Sequence, residues 1–367
     1  MTLHVFNPEH DIALATNQDK FTAPHAARRL RADFGFLPAF WAKDGDLVLV
    51  DDAEGAQEQV RHLKAYAADV QFVALADLAN IDASSVTAIA PWGWDRTLCA
   101  QLLSANPSLA PLMPDSKVLE AQRQMSSRRF AAQHLLPQLT GLDSRLVGES
   151  TFCDDISMVQ PLLDRHAHIV IKAPWSSSGR GLRYVDCEMS GHTQGWTKNI
   201  IAHQGGAMVE PFYQKVYDFG MEFCARPDGN IEYCGLSLFA TIHGAYEGSM
   251  LATEADKREM LARYVDLTLL DAVKQRIIDV LQPLMRDTFT GPFGIDMMAV
   301  ASPEPSAPML LHPCVELNLR RTMGHVALAL SPSPYEPHRL MRIYFSADRY
   351  KLRVLTTADN LLNTGLI

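Results

Sequence analysis

Apolar positions in the opening stretch of the chain come as short runs, separated by segments whose apolar residues recur at helical spacing. Residues 3–6, 47–50, 70–74 and 86–90 read as strands, and 24–33, 54–67 and 96–104 as helices between them. Thr22 would cap the first helix, with Pro24 in its first turn and Gly35 ending it. This alternation predicts a mainly parallel sheet with helices on both faces, and ligand-binding loops at the carboxyl ends of its strands. Two such loops are unusual: Asn7-Pro8-Glu9-His10-Asp11 and Pro91-Trp92-Gly93-Trp94-Asp95.

The prolines at 107, 111 and 114 mark a linker, since none can continue a helix. Beyond it a helical stretch spans 116–134, with a break near Ser126-Ser127. Strand 168–173 leads into a Ser/Gly loop, then strand 182–185 and helix 193–203. Strands 207–210, 218–226 and 231–240 follow, the last two joined by a tight turn at Asp228-Gly229. Residues 254–286 form the longest helical region. Strands 293–300 and 310–319 are linked by Ser-Pro-Glu-Pro-Ser-Ala-Pro, and a small closing segment starts at Ser331.

A chain of 367 residues, 47% hydrophobic and 20% charged, can bury a large core and divides into two or three domains. The net charge of −9, with no basic block longer than Arg28-Arg29-Leu30-Arg31, excludes nucleic acid as a partner. The start lacks the pattern of a signal peptide, and no apolar run is long enough to span a bilayer. Six cysteines without CxxC spacing read as free thiols in a reducing compartment. The expectation is a cytoplasmic protein without a membrane partner.

Candidate chemistry concentrates in Pro-Cys-Val-Glu316-Leu-Asn318-Leu-Arg320-Arg321. Side chains two apart on a strand share a face, about 7 Å apart along it, so Glu316, Asn318 and Arg320 point together. A carboxylate, an amide oxygen and a guanidinium suit a magnesium-bound phosphate, although a half-exposed strand shows the same alternation. Lys172 ends an apolar strand and precedes Trp175-Ser176-Ser177-Ser178-Gly179-Arg180-Gly181, a loop able to cradle phosphate or simply to connect strands. It is neither a Walker loop nor GxGxxG. Met208-Val209-Glu210-Pro211-Phe212 ends a strand at which an adenine edge could pair, and Asp296 closes Gly-Pro-Phe-Gly-Ile-Asp beside the Glu316 strand. Asp296, Glu316 and Asn318 could together hold one or two divalent cations by oxygen alone.

In this order, the lysine strand with its Ser/Gly loop, Val-Glu-Pro-Phe, Asp-Phe-Gly-Met-Glu, Gly-Ile-Asp and Glu-Leu-Asn-Leu-Arg resemble the ATP-grasp superfamily, from about Ser116 to Leu330. The resemblance implies an α/β chain, α+β in its ATP-grasp part. A Rossmann-like domain at 1–113 would precede a lid subdomain at 114–206 and a metal-binding subdomain at 207–330, with a closing segment at 331–367. It implies ATP and Mg²⁺ as cofactors, with Mn²⁺ as a substitute. Lys172 would contact phosphate, Ser176 to Gly181 would cover it, and Glu210, Pro211 and Phe212 would border adenine. Asp218 would lie near the ribose. Asp296, Glu316 and Asn318 would hold metal, and Arg320 would face the transferred phosphate. The phosphate-contacting lysine that many members carry on the entering helix is replaced here by Arg128 or Arg129.

His10, Asp11, Trp92, Trp94, Asp95, Arg321 and His325 are the candidates for substrate contact. Helix capping is the plain alternative for Asp11, Asp95 and His325, and core packing for at least one of the tryptophans. Glu9 belongs to the same loop as His10, and Lys215 is either near the lid or solvated. The implied activity is ADP-forming ligation of a small carboxylate to an amine. A phosphotransferase and a non-catalytic ATP-binding module are the alternatives, and a homodimer is common for the architecture.

Overall fold

The protein is described from a computed structural model covering residues 1–176, 179, 181–242, 245–304 and 307–356. Its strands form three sheets. The first contains β1 (Thr2–Val5), β2 (Leu47–Val50), β3 (Gln71–Ala74) and β4 (Ala88–Pro91), all parallel, in the order β3-β2-β1-β4. The second contains β5 (Thr151–Cys153), β6 (His168–Lys172), β7 (Leu182–Asp186) and β8 (Ala207–Pro211), antiparallel, in the order β5-β8-β6-β7.

The third sheet is antiparallel and runs β13-β12-β9-β10-β11-β14-β15. Its strands are β9 (Lys215–Ala225), β10 (Ile231–Ile242), β11 (Ala245–Leu251), β12 (Gly291–Val300), β13 (Leu310–Asn318), β14 (Arg339–Ser346) and β15 (Arg349–Thr356). Alternation along β9 decides what it presents to each side. Phe219, Met221 and Phe223 are fully buried in the main core, while Asp218, Gly220 and Glu222 face the other way. That core rests on helix Leu267–Met285, whose Leu270, Val273, Ile277 and Leu281 recur at three- and four-residue steps and are wholly buried. Each such side chain contributes roughly 2 kcal/mol on burial.

Several elements differ from expectation. The first long helix is His25–Phe34, and its N-cap position is Pro24, not Thr22, without a side-chain cap. Helix 54–67 shortens to Ala53–Arg61, where the Asp52 carboxylate accepts from the Gly55 N–H and starts the helix. The break at Ser126-Ser127 is present, and the chain turns helical again at Arg128, where Ser127 is the cap. The closing segment is the hairpin β14–β15, which extends the large sheet through β11 and packs against helix His25–Phe34. The six cysteines are free, and no helix among the described residues is long and apolar enough to cross a membrane.

Candidate active site

A cavity of about 650 Å³ is lined by residues of the second and third sheets and of segments that follow the strands of the first, including Lys172, Glu210, Asp218, Asp296, Glu316, Asn318, Arg320 and Arg128. A slightly larger one, about 740 Å³, lies beside Trp94, Met113 and Arg226, and holds none of these groups.

At one end β6 and β8 pair antiparallel, with Val170 opposite Glu210, so Lys172 and Glu210 emerge close together. Lys172 Nζ stands 2.5 Å from Glu210 Oε2, both buried, and Ser150 Oγ donates to Glu210 Oε1 at 2.9 Å. Phe212, half exposed, meets Tyr184 edge-on at 6.0 Å. Pro211 has no N–H, and that of Phe212 already donates to the His168 carbonyl at 2.9 Å. Neither residue therefore carries an unpaired backbone N–H. Asp218 accepts from Lys215 Nζ at 2.5 Å and Thr241 Oγ1 at 2.9 Å, and Lys215 itself is exposed.

Packing separates the two adjacent arginines. Arg128 is buried; its Nη1 donates to the Ala173 carbonyl at 2.7 Å and Ser176 Oγ at 2.8 Å, and its Nη2 to Glu316 Oε1 at 2.6 Å. Arg129 instead lies over the Phe152 ring at 4.1 Å. Gly181 closes the loop against Ser176, whose hydroxyl occupies the place a Cβ would need, and Gly179 lines the cavity with φ of 68°. Ser177, Ser178 and Arg180 lie outside the described residues.

β12 and β13 are neighbours, and Asp296 sits directly across from Glu316. Asn318 Nδ2 donates to Asp296 Oδ2 at 3.0 Å. Burial, then the charges of Glu316 and Glu222, push the Asp296 carboxyl up to about 8. Two acids facing each other across a ladder are unfavourable without a cation between them. All donors are oxygen once the Asn318 amide turns, so the set fits Mg²⁺.

Sequence reasoning missed Glu222, although the two-residue step from Asp218 points to it. It lines the cavity and accepts from Ser237 Oγ at 2.9 Å and Thr322 Oγ1 at 2.7 Å. Burial would raise its carboxyl, but His325 first, then both hydroxyls, hold it below the ordinary value. Gly294 and Gly324 leave the space it occupies.

The segments just after β1 and β4 contribute Phe6, Pro8, Asp11 and Trp92 to the wall. Asp11, in the first turn of helix His10–Thr16, takes Arg320 Nε at 3.0 Å and Nη2 at 2.8 Å. Burial works to raise the Asp11 carboxyl, and Arg320 outweighs it and holds it low. The other substrate candidates are elsewhere. His10 Nδ1 lies 3.3 Å from Asp95 Oδ2, Asn7 Nδ2 donates to the same oxygen at 3.0 Å, and Asp95 caps helix Arg96–Ala105 through the Leu98 N–H. These bonds tie the two loops together, and neither His10 nor Asp95 lines the cavity. Trp94 lines the other cavity, and Arg321 lies over Trp41 at 4.3 Å. Both His325 nitrogens are engaged, Nδ1 at the start of helix Met323–Ala329 and Nε2 at the Phe223 carbonyl at 3.1 Å.

No family model matches the chain, and no curated protein matches it in sequence. Solved structures do match in shape. N5-carboxyaminoimidazole synthetase from Staphylococcus aureus, complexed with ADP, superposes with a TM-score of 0.50 at 10% identity, over 95% of this chain and 83% of that one. An ADP complex of N5-carboxyaminoimidazole ribonucleotide synthetase gives 0.51 at 11%, over 98% and 92%. Biotin carboxylase from Campylobacter jejuni, in a complex with β,γ-ATP, gives 0.50 at 12%, over 93% and 75%. These are ATP-grasp structures, and this chain has the ATP-grasp fold.

Proposed function

We propose that the chain is an ATP- and Mg²⁺-dependent ligase that joins a carboxylate to an amine. The carrying observation is one cavity in which Lys172, Arg128 and Arg320 surround the facing pair Asp296 and Glu316. The fold, shared with nucleotide-bound ligases, supports the same reading. In the proposed reaction the substrate carboxylate oxygen attacks the γ-phosphorus and ADP leaves. The amine nitrogen then attacks the acyl carbon, phosphate departs, and the nitrogen loses a proton.

Mg²⁺, when bound by Asp296, Glu316 and Asn318, would neutralise phosphate charge and hold the triphosphate in line. Lys172 and Arg128 would orient the phosphates, and with Glu316 holding a metal the Arg128 Nη2 would be free to do so. Arg320 supplies positive charge beside the transferred group, fixed in place by Asp11. Positioning and electrostatics of this kind are the main levers in phosphoryl transfer.

The test is phosphate and ADP release from ATP and Mg²⁺ with paired carboxylates and amines, and mass spectrometry of the product. Ligation gives a condensed product and free phosphate, whereas phosphate retained on the product identifies a kinase. Lys172→Ala and Glu316→Ala are each expected to lower turnover on the order of 10²–10³-fold or more while circular dichroism is unchanged. Full activity in either variant refutes the assignment.

A further inference from the structure

β7 is an edge strand of the second sheet, and its pairing with β6 sets His168 directly opposite Asp186. Across that pair, His168 Nδ1 and Asp186 Oδ1 stand 2.9 Å apart. Cys187 follows Asp186, and consecutive side chains of a regular strand point to opposite faces. Here the chain leaves the strand geometry. Cys187 has a φ of 56°, in the left-handed region. Its Sγ, a ring nitrogen of His168 and a carboxylate oxygen of Asp186 all lie within 4.8 Å of one another.

That backbone conformation costs a residue other than glycine on the order of 1 kcal/mol. It is held in place by the Cys187 N–H, which donates to the Ala167 carbonyl at 2.7 Å. The His168 carbonyl takes the Phe212 N–H at 2.9 Å, so the strand end that carries the imidazole is fixed to the β8 side as well. The three side chains therefore converge on a firm backbone.

Imidazole, thiolate and carboxylate together suit Zn²⁺, whereas Mg²⁺ and Ca²⁺ take oxygen ligands. Around zinc, with bonds of about 2.0–2.3 Å, ligand atoms stand about 3.3–3.7 Å apart. Small side-chain rotations close the remaining distance, and all three residues are exposed and free to make them. Solvent reaches the fourth position of the tetrahedron. None of the three lines the 650 Å³ cavity. Four steps along β6 separate His168 from Lys172, about 13 Å.

We propose that His168, Asp186 and Cys187 form a zinc site that pins the carboxyl end of edge strand β7 to β6. Zinc takes the place of the thiol proton, which passes to solvent. The inference does not depend on the ligase reading.

The full chain, reduced and stripped of metal with chelator, is titrated with Zn²⁺ by calorimetry and with Co²⁺ by absorption spectroscopy. Both titrations contain excess Mg²⁺, which occupies the oxygen ligands at Asp296 and Glu316. One equivalent of Zn²⁺ is expected to bind with a Kd of about 10 µM or tighter. Co²⁺ is expected to give the near-ultraviolet charge-transfer absorption that sulfur ligation produces. Cys187→Ser should abolish that absorption, and Cys187→Ser and His168→Gln should each weaken Zn²⁺ at least tenfold, with circular dichroism unchanged. Cys234→Ser, at the other exposed cysteine, should alter neither reading. Weaker Zn²⁺ binding, no sulfur-to-cobalt absorption, absorption that survives Cys187→Ser, or its loss in Cys234→Ser would overturn the proposal.

Discussion

Removing a candidate metal ligand should make the ligand-free protein more stable. In the absence of a cation, Asp296 faces Glu316 at the cavity wall, and its carboxyl is pushed from the ordinary 3.8 up to about 8, by loss of solvent first and neighbouring acids second. Because the folded-state value is raised, the folded chain holds this proton more tightly than the unfolded one. The corresponding stability is fully present below pH 3.8 and is lost as pH rises through about 8. At roughly 1.4 kcal/mol per pH unit, the loss reaches roughly 6 kcal/mol at its ceiling.

Asp296→Asn keeps the size and an oxygen acceptor for the Asn318 amide but cannot ionise. Attraction to Arg320 is lost with the charge, so the net gain is on the order of a few kcal/mol at alkaline pH. For a chain of this length that is several degrees in Tm. The assay is thermal unfolding of both proteins in chelator at about pH 4.5 and about pH 8.5, where the difference should be small and then large. Mg·ADP should raise the Tm of the wild type and not of the variant. A difference that fails to widen with pH, or a variant less stable at the higher pH, refutes the reasoning.

Arg128→Ala should weaken nucleotide binding tenfold or more, because its guanidinium joins the Ser176 loop to Glu316. Arg129→Ala should cost about 1 kcal/mol of stability, from contact with Phe152, and leave nucleotide affinity unchanged in calorimetry. His325→Ala removes a cap and leaves Glu222 short of a partner, so chemical denaturation should register a loss of about 1–3 kcal/mol with the KM for ATP unaltered. Gly324→Ala would place a Cβ onto Glu222 Oε1, and we expect lower stability in urea, the clash being relieved when Glu222→Ala is combined with it.

Much of this was visible in the chain because strands impose a two-residue period. Leu317 and Leu319 must enter the core, so Glu316 and Asn318 must leave it, and the same rule puts Asp218 and Glu222 on the side away from Phe219 and Phe223. The parallel first sheet followed from alternating strand and helix patterns, and the hairpin at Asp228-Gly229 from a residue pair that tolerates the turn, with φ of 86° at Gly229.

Period and motif cannot separate neighbours that differ only in what they touch. Arg128 from Arg129, Arg320 from Arg321 and Trp92 from Trp94 are distinguished by partners distant in sequence: Glu316, Asp11 and the wall shared with Phe6. The Asp11–Arg320 pair spans 309 positions, and nothing local to either residue signals the other. Strands β11, β14 and β15 were also unread, since they gain their order from the sheet they join. Local periodicity, which the chain carries by itself, determined which side chains leave the core. Which of them meet, and with what net charge, was decided only when two sheets and the loops following the first closed around one cavity.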